Sequence, residues 1–344
     1  MFTARSVLRH STRAAMAATI AIVAASCGGG GADSITLLAH SSFAISESTL
    51  QAFTEETGIE VEILDGGDAG AMLSQAVLTS DNPIADVIYG IDNTFLSRAV
   101  SEEITIPYES PLIDGVHDFT RLDLANRFTP MDYGDVCLQY DRQAIEGDPS
   151  ALFGDPSLGD RLVVEDPATS SPGLAFLLST ISAFPDTWQD YWRQLRESGV
   201  LVVSGWEEAY YGEFSGASDG DRPVVVSYGS SPAAEVVFAV EPIDEPGTGI
   251  VEESCFRQVE FAGILDGTGA EDEAKQLIDF MLSTTFQEDI PLNMFVFPAL
   301  ESAQLPQVFI DHAVVAREPR SIDPAEIAAN RDRWIDEWTE IVLR

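Results

Sequence analysis

The chain has 344 residues, with 57 Asp and Glu against 18 Lys and Arg, Lys275 being the single lysine, and a formal net charge of −39. That balance excludes sequence-independent binding to nucleic acid, which needs a basic face to displace counterions, and attachment to anionic lipid through basic charge. Hydrophobic residues make up 45%, enough for a sizeable core, and the length fits two domains or one domain split into two lobes. The acidic field draws small cations inward, although solubility or tolerance of salt would account for the same surface.

Residues 1–13 carry Arg5, Arg9 and Arg13 and no acid, and Ala14 to Ala25 is an apolar run interrupted only by Thr19. The run is too short to span a bilayer and suits the core of a signal peptide. It ends in Val23-Ala24-Ala25-Ser26-Cys27, followed by four glycines. Small residues directly before a cysteine resemble a bacterial lipoprotein signal, in which Cys27 becomes the lipidated first residue. An ordinary secretion signal with an incidental cysteine is the alternative. Residues 1–27 are thus expected to be removed, with 28–34 a flexible tether. An exported chain places Cys137 and Cys255 in an oxidising compartment.

Ile35–Ala39 is expected as a strand. Glu47–Glu56 has a helical pattern with Leu50 and Phe53 three apart and Gly58 placed to end it. Ile59–Ile63 alternates with period two, as a half-buried strand does. A glycine-rich turn at Asp65–Gly70, a helix at Ala71–Leu78 and a strand at Asp86–Tyr89 follow. The pattern returns with strands at Leu162–Glu165, Leu201–Val203 and Val224–Ser227, and helices at Gly173–Ala183 and from Pro232. Strand–helix alternation of this kind favours parallel, doubly wound sheets, and two such units suggest two lobes with a cleft between them. Ligands of such sheets sit beyond the carboxyl ends of the strands. At the C-terminus, Asp323, Pro324 and Glu326 read as N-cap, N1 and N3 of a helix. The stripe Ile327, Trp334, Trp338 and Ile341 reads as its packing face.

Catalytic motifs are scarce in the sequence: no P-loop, GxGxxG, EF-hand loop, HExxH or CxxC occurs, a lone GxSxG string at Gly216–Gly220 does not sit between a strand and a helix of the expected pattern, and the four histidines stand at positions 10, 40, 117 and 312. Two loops carry chemistry instead. Asp166–Gly173 and Ser227–Pro232 both place Ser-Ser-Pro between a strand and a helix, the serine before each proline reading as N-cap and the proline as N1, so that hydroxyls, free N–H groups and a positive helix end can hold a phosphate or polar ligand edge. Plain helix capping needs the same residues. In Gly205-Trp206-Glu207-Glu208-Ala209-Tyr210-Tyr211 the tryptophan stands at a strand end among acids, a suitable face for an organic cation. Tyr228, at another strand end, offers a second plate. Partly buried packing aromatics would look alike.

The chain resembles the thiamine-binding proteins of bacterial ABC importers from Ile35 to Arg344. The resemblance is carried by Ala85-Asp86-Val87 with Gly90–Asn93, Pro130–Gly134, the Asp166–Gly173 loop, Gly205–Tyr210, Ser227-Tyr228 with Ser231-Pro232, and Pro324–Glu326 with Trp334–Trp338. It implies a two-lobed α/β periplasmic-binding-protein fold of type II, each lobe a mostly parallel sheet flanked by helices. The first lobe would comprise 35–130 and 258–310 and the second 131–257, with 311–344 as a C-terminal helical segment packed on them. The implied function is delivery of thiamine or a thiamine phosphate to a permease driven by an ATPase, with no catalysis, no cofactor and no metal. The expected protein is a monomer held to the membrane only through its lipid. The implied ligand contacts are His40, Asp68, Ser170, Ser171, Trp206, Tyr228, Ser231 and Phe295.

Three positions depart from the family pattern: His40 and Phe295 stand where Tyr and Trp are expected, and Ala234 where Tyr is common. Weaker hold on a phosphate end follows. Strands near Tyr133–Gln139 and Arg257–Phe261 are expected to cross between the lobes, with a Cys137–Cys255 disulfide beside them. Ferric-iron binding through Tyr210, Tyr211 and His40 is the rival ligand class, and an exported hydrolase is a second rival.

Overall fold

The computed structural model describes residues 34–122 and 125–344. The expected signal peptide, Cys27 and all but the last residue of the tether lie outside them. Ten strands form one sheet: β1 (Ser34–Ala39), β2 (Glu60–Asp65), β3 (Val87–Asp92), β4 (Thr105–Ile106), β5 (Thr129–Asp141), β6 (Leu162–Glu165), β7 (Leu201–Val203), β8 (Val224–Tyr228), β9 (Thr248–Leu265) and β10 (Phe297–Pro298). The main path runs β2-β1-β3-β9-β5-β8-β6-β7, with β10 on β5 and β4 on β9. Pairing is parallel within β2-β1-β3 and within β8-β6-β7, and antiparallel wherever β5 or β9 takes part.

The helices that cover these halves are α1 (Glu47–Thr57), α2 (Ala69–Leu78), α3 (Leu96–Ser101), α4 (Ser171–Ala183), α5 (Trp188–Glu197), α6 (Ser231–Phe238) and α7 (Glu271–Met281), followed by shorter turns and a C-terminal helix at Pro324–Val342. Local chemistry sets their ends. Ser46 accepts from the Thr49 N–H to start α1, and Gly58, at φ 77°, closes it by donating to the Thr54 carbonyl; that left-handed conformation suits glycine. The alternating Ile59–Ile63 segment forms a strand, but at the sheet edge, where Ile63 is 47% exposed. Period-two patterning identifies the strand and does not say how much cover its faces receive.

The long strands join the halves. Glu260–Ile264 of β9 pairs with β3, while Val136–Tyr140 of β5 pairs with β8. Between them β5 and β9 pair from Thr129↔Ala262 to Asp141↔Thr248. Cys137 and Cys255, both fully buried, are joined across these two strands (S–S 1.99 Å). Beside them Asp135, 1% exposed, accepts from Arg257 Nε at 2.5 Å and from the Ala316 N–H at 2.8 Å. A buried carboxylate needs such partners to remain charged.

In the C-terminal helix Asp323 accepts from the Ala325 N–H at 2.8 Å, so the cap forms at N2 without the reciprocal bond of a capping box. Ile327, Trp334 and Trp338 are buried as the stripe requires, and Trp338 meets Trp192 of α5 edge-on at 5.5 Å. Replacing a wholly buried tryptophan leaves a large void. Trp338→Ala is therefore expected to lower stability by about 3–5 kcal/mol in urea unfolding, whereas a loss under about 1 kcal/mol would show that the helix packs loosely.

Candidate functional site

The carboxyl ends of the parallel strands of both halves converge on one cavity of about 250 Å³. His40 directly follows β1, Asp68 lies in the turn after β2, Trp206 follows β7, and Tyr228 ends β8. Of the eight residues expected from sequence, His40, Asp68, Ser171, Trp206, Tyr228, Ser231 and Phe295 line this space. Ser170 does not. It is fully buried at the N-cap of α4, beneath the wall, with its hydroxyl next to Asp68.

Both Ser-Ser-Pro loops are shifted by one residue from the expected capping pattern. Ser170 and Ser230 are the N-caps, Ser171 and Ser231 begin the helices, and the prolines come next. Neither cap uses its side chain on its own helix; Ser230 donates to the Phe295 carbonyl instead. The shift turns Ser171 and Ser231 toward the cavity. Ser231 Oγ lies 2.9 Å from Ser227 Oγ, which also accepts from Trp206 Nε1 at 3.0 Å. The indole is thereby fixed in rotation.

Trp206 stands half-exposed in the wall. A π-helix at Glu208–Glu213 follows it, the kind of one-turn irregularity frequent at functional sites. It brings Tyr210 under the indole (5.0 Å, 20° between planes) and Tyr211 against its edge (5.5 Å, 78°). Tyr228 meets Trp206 nearly at right angles, 6.3 Å away. Phe295 reaches the cavity from a left-handed backbone (φ 54°), a strained conformation for a bulky residue and one that collects at binding sites.

Asp68 ties the two halves together. Its Oδ1 accepts from the Ala69 N–H at 2.8 Å, capping α2, and its Oδ2 accepts from the Trp206 N–H at 3.2 Å across the cavity. Burial raises its pKa, opposed by those two N–H groups and by His40. The Gly70 N–H adds a second bridge to the Thr169 carbonyl at 2.9 Å.

Behind these walls lies a buried polar network. His40 Nε2 is 3.4 Å from Glu260 Oε2. Gln258 Nε2 donates to Glu260 Oε1 at 2.8 Å and to the Tyr228 hydroxyl at 3.0 Å. The Tyr89 hydroxyl donates to Asp132, whose carboxyl is raised well above its ordinary range by burial and by Glu260. Burial opposes charge on His40, but Glu260, with Asp68 and Asp132, overcomes it and lifts the imidazole from 6.5 to about 9. Sequence reasoning missed Glu260. One acid among 57 gives no signal until the fold buries it beside a histidine.

The family of bacterial extracellular solute-binding proteins matches residues 82–315. The chain belongs to that family. This solute-binding protein is 30% identical to a thiamine-binding periplasmic protein of Brucella suis, over 91% of its own length and 93% of the relative's. Among solved structures it is similar to a periplasmic thiamin binding protein (TM-score 0.81, 27% identity, 90% of this chain and 96% of that one). It shares its fold with the ferric binding protein from Campylobacter jejuni (TM-score 0.72, 17% identity, 89% and 99%). The fold is the two-lobed α/β fold of periplasmic binding proteins. Proteins of this family bind solutes and do not transform them, so this chain is not an enzyme.

The raised pKa of His40 has a consequence for stability. A base whose folded pKa exceeds its unfolded value contributes fully below the unfolded value and loses that contribution as pH rises through the folded one. Below pH 6.5 His40 contributes in full, and by about pH 9 much of this is gone. Urea unfolding of wild-type protein and His40→Gln should therefore show a stability gap that shrinks between about pH 7 and 9.5; a constant gap would contradict the pairing with Glu260.

Proposed function

We propose that the protein captures thiamine in this cavity and delivers it to the permease of an ABC importer. The observation that carries the reading is the lining itself: aromatic faces at Trp206 and Tyr228, carboxylates at Asp68, Glu207 and Glu260, and no Arg or Lys. A thiazolium ring has a positive charge with no hydrogen to donate. Aromatic faces and nearby carboxylates suit it better than directed hydrogen bonds do, each cation–π contact contributing roughly 0.5–2 kcal/mol. The names of the Brucella relative and of the similar solved structure support the same ligand.

The proposed ligand contacts are the seven lining residues, with Ser170 supporting Asp68 from below. The lobes would close on the vitamin through bending of β5 and β9 where they pass from one half to the other. The segments 35–130 with 258–310 and 131–257 would be the moving bodies, with 311–344 packed on them as the C-terminal segment. Export follows from the family, and the Cys27 motif supports a lipid anchor on a monomer. Iron is the weaker reading. Tyr210 and Tyr211 both pack on Trp206, one stacked and one edge-on, and His40 lies against Glu260, so the three groups iron would need are already engaged elsewhere.

Ala234 leaves open space where a hydroxyl could have met a phosphate, and the lining carries no guanidinium or ammonium group. Calorimetry should give one thiamine per chain, bound at least as tightly as thiamine diphosphate; clearly tighter diphosphate binding would overturn the unphosphorylated ligand. Trp206→Ala should weaken thiamine by roughly ten- to thirty-fold, the upper part of the cation–π range, and abolish most of the ligand-dependent quenching of tryptophan fluorescence. Unchanged affinity would remove the indole from the site.

A further inference from the structure

Among the residues lining the cavity, His40 is the one able to carry positive charge. Its position is built. The imidazole packs on β3 at Gly90 (φ 98°), where any Cβ would run into the ring. Its Nε2 is 3.4 Å from Glu260 of β9. The other ionisable groups facing it are Asp132 of β5, Asp68 before α2, and Tyr89 of β3, whose ring lies 6.3 Å away. Asp132 is engaged by the Tyr89 hydroxyl, and Asp68 by two backbone N–H groups. Glu260 is thus the carboxylate held directly by His40, and it also faces the cavity.

A second cation in this space meets like charge at His40 and attraction from the same carboxylate. Like charge disfavours the protonated imidazole, and so does the loss of Glu260 as its own partner. We propose that His40 couples capture of an organic cation to release of a proton. The ligand's charge takes over Glu260 and Asp68, an N–H bond of the imidazolium breaks, and the proton leaves to solvent, so that the complex holds a neutral imidazole. The inference rests on the cavity being a thiamine site. By linkage, one proton released per ligand strengthens binding by up to about tenfold per pH unit. The protein then holds its cargo less tightly wherever the surroundings are acidic.

The test is calorimetric titration of the full folded chain with thiamine at about pH 7.5, in two buffers of different ionisation enthalpy, which counts protons exchanged per ligand bound. Wild-type protein should release more than half a proton, and its Kd should fall several-fold per unit from about pH 6.5 to 8.5. His40→Gln should release less than a quarter of a proton with a nearly flat Kd. Glu260→Gln, which leaves the histidine without its carboxylate, should also lose the release at whatever affinity remains. A histidine that only shapes the wall would change Kd without changing the proton count. Thiamine binding to wild-type protein without proton release, or equal release from wild type and His40→Gln, overturns this inference alone. Failure of thiamine to bind both wild type and His40→Gln overturns the ligand reading and this inference with it.

Discussion

The cavity depends on the cost of burying negative charge. Glu260, Asp132 and Asp68 converge where the two halves of the sheet meet, and water has limited access to them. Carboxylates in such a place must be protonated, hydrogen-bonded or paired with a cation. The structure uses all three. Asp132 is pushed toward its protonated form beside Tyr89, Asp68 takes two backbone N–H groups, and Glu260 takes His40. On the proposed reading, a cationic solute would offer the same compensation from outside, so ligand capture and stability of the fold would draw on one electrostatic requirement.

That requirement is met because the sheet is continuous. β5 and β9 carry Asp132 and Glu260 on the strands that also pair with both halves, so the acids stand where the two halves of the sheet join. Asp68 and Trp206 come from opposite halves and meet through one hydrogen bond. The same aspartate starts α2, so the Trp206 wall is tied to a helix of the other half. Disulfide Cys137–Cys255 and the Asp135–Arg257 pair hold the two long strands in register next to this point.

The Trp206 wall shows how irregular backbone places an aromatic ring at the cavity. The π-helix supplies one stacked and one edge-on tyrosine, and Ser227 fixes the indole nitrogen. Phe295 faces it from a positive-φ backbone held by Ser230. These departures from regular structure lie around the cavity, while the helices away from it follow their caps and apolar stripes closely.

The sequence by itself determined the strand–helix alternation, the capped C-terminal helix with its tryptophan stripe, and the residues most suited to a flat cation: Trp206, Tyr228 and Asp68. Those features are legible because period, caps and side-chain type are local. Family resemblance supplied the rest of the expected wall. Tertiary structure decided what depends on residues far apart in the chain. It left β2 as an exposed edge, moved both serine caps by one position so that Ser171 faces the cavity and Ser170 does not, and set Glu260 against His40. No local pattern distinguishes Glu260 from the other acids, because its chemistry arises from burial beside one imidazole, and only the folded sheet brings positions 40 and 260 together.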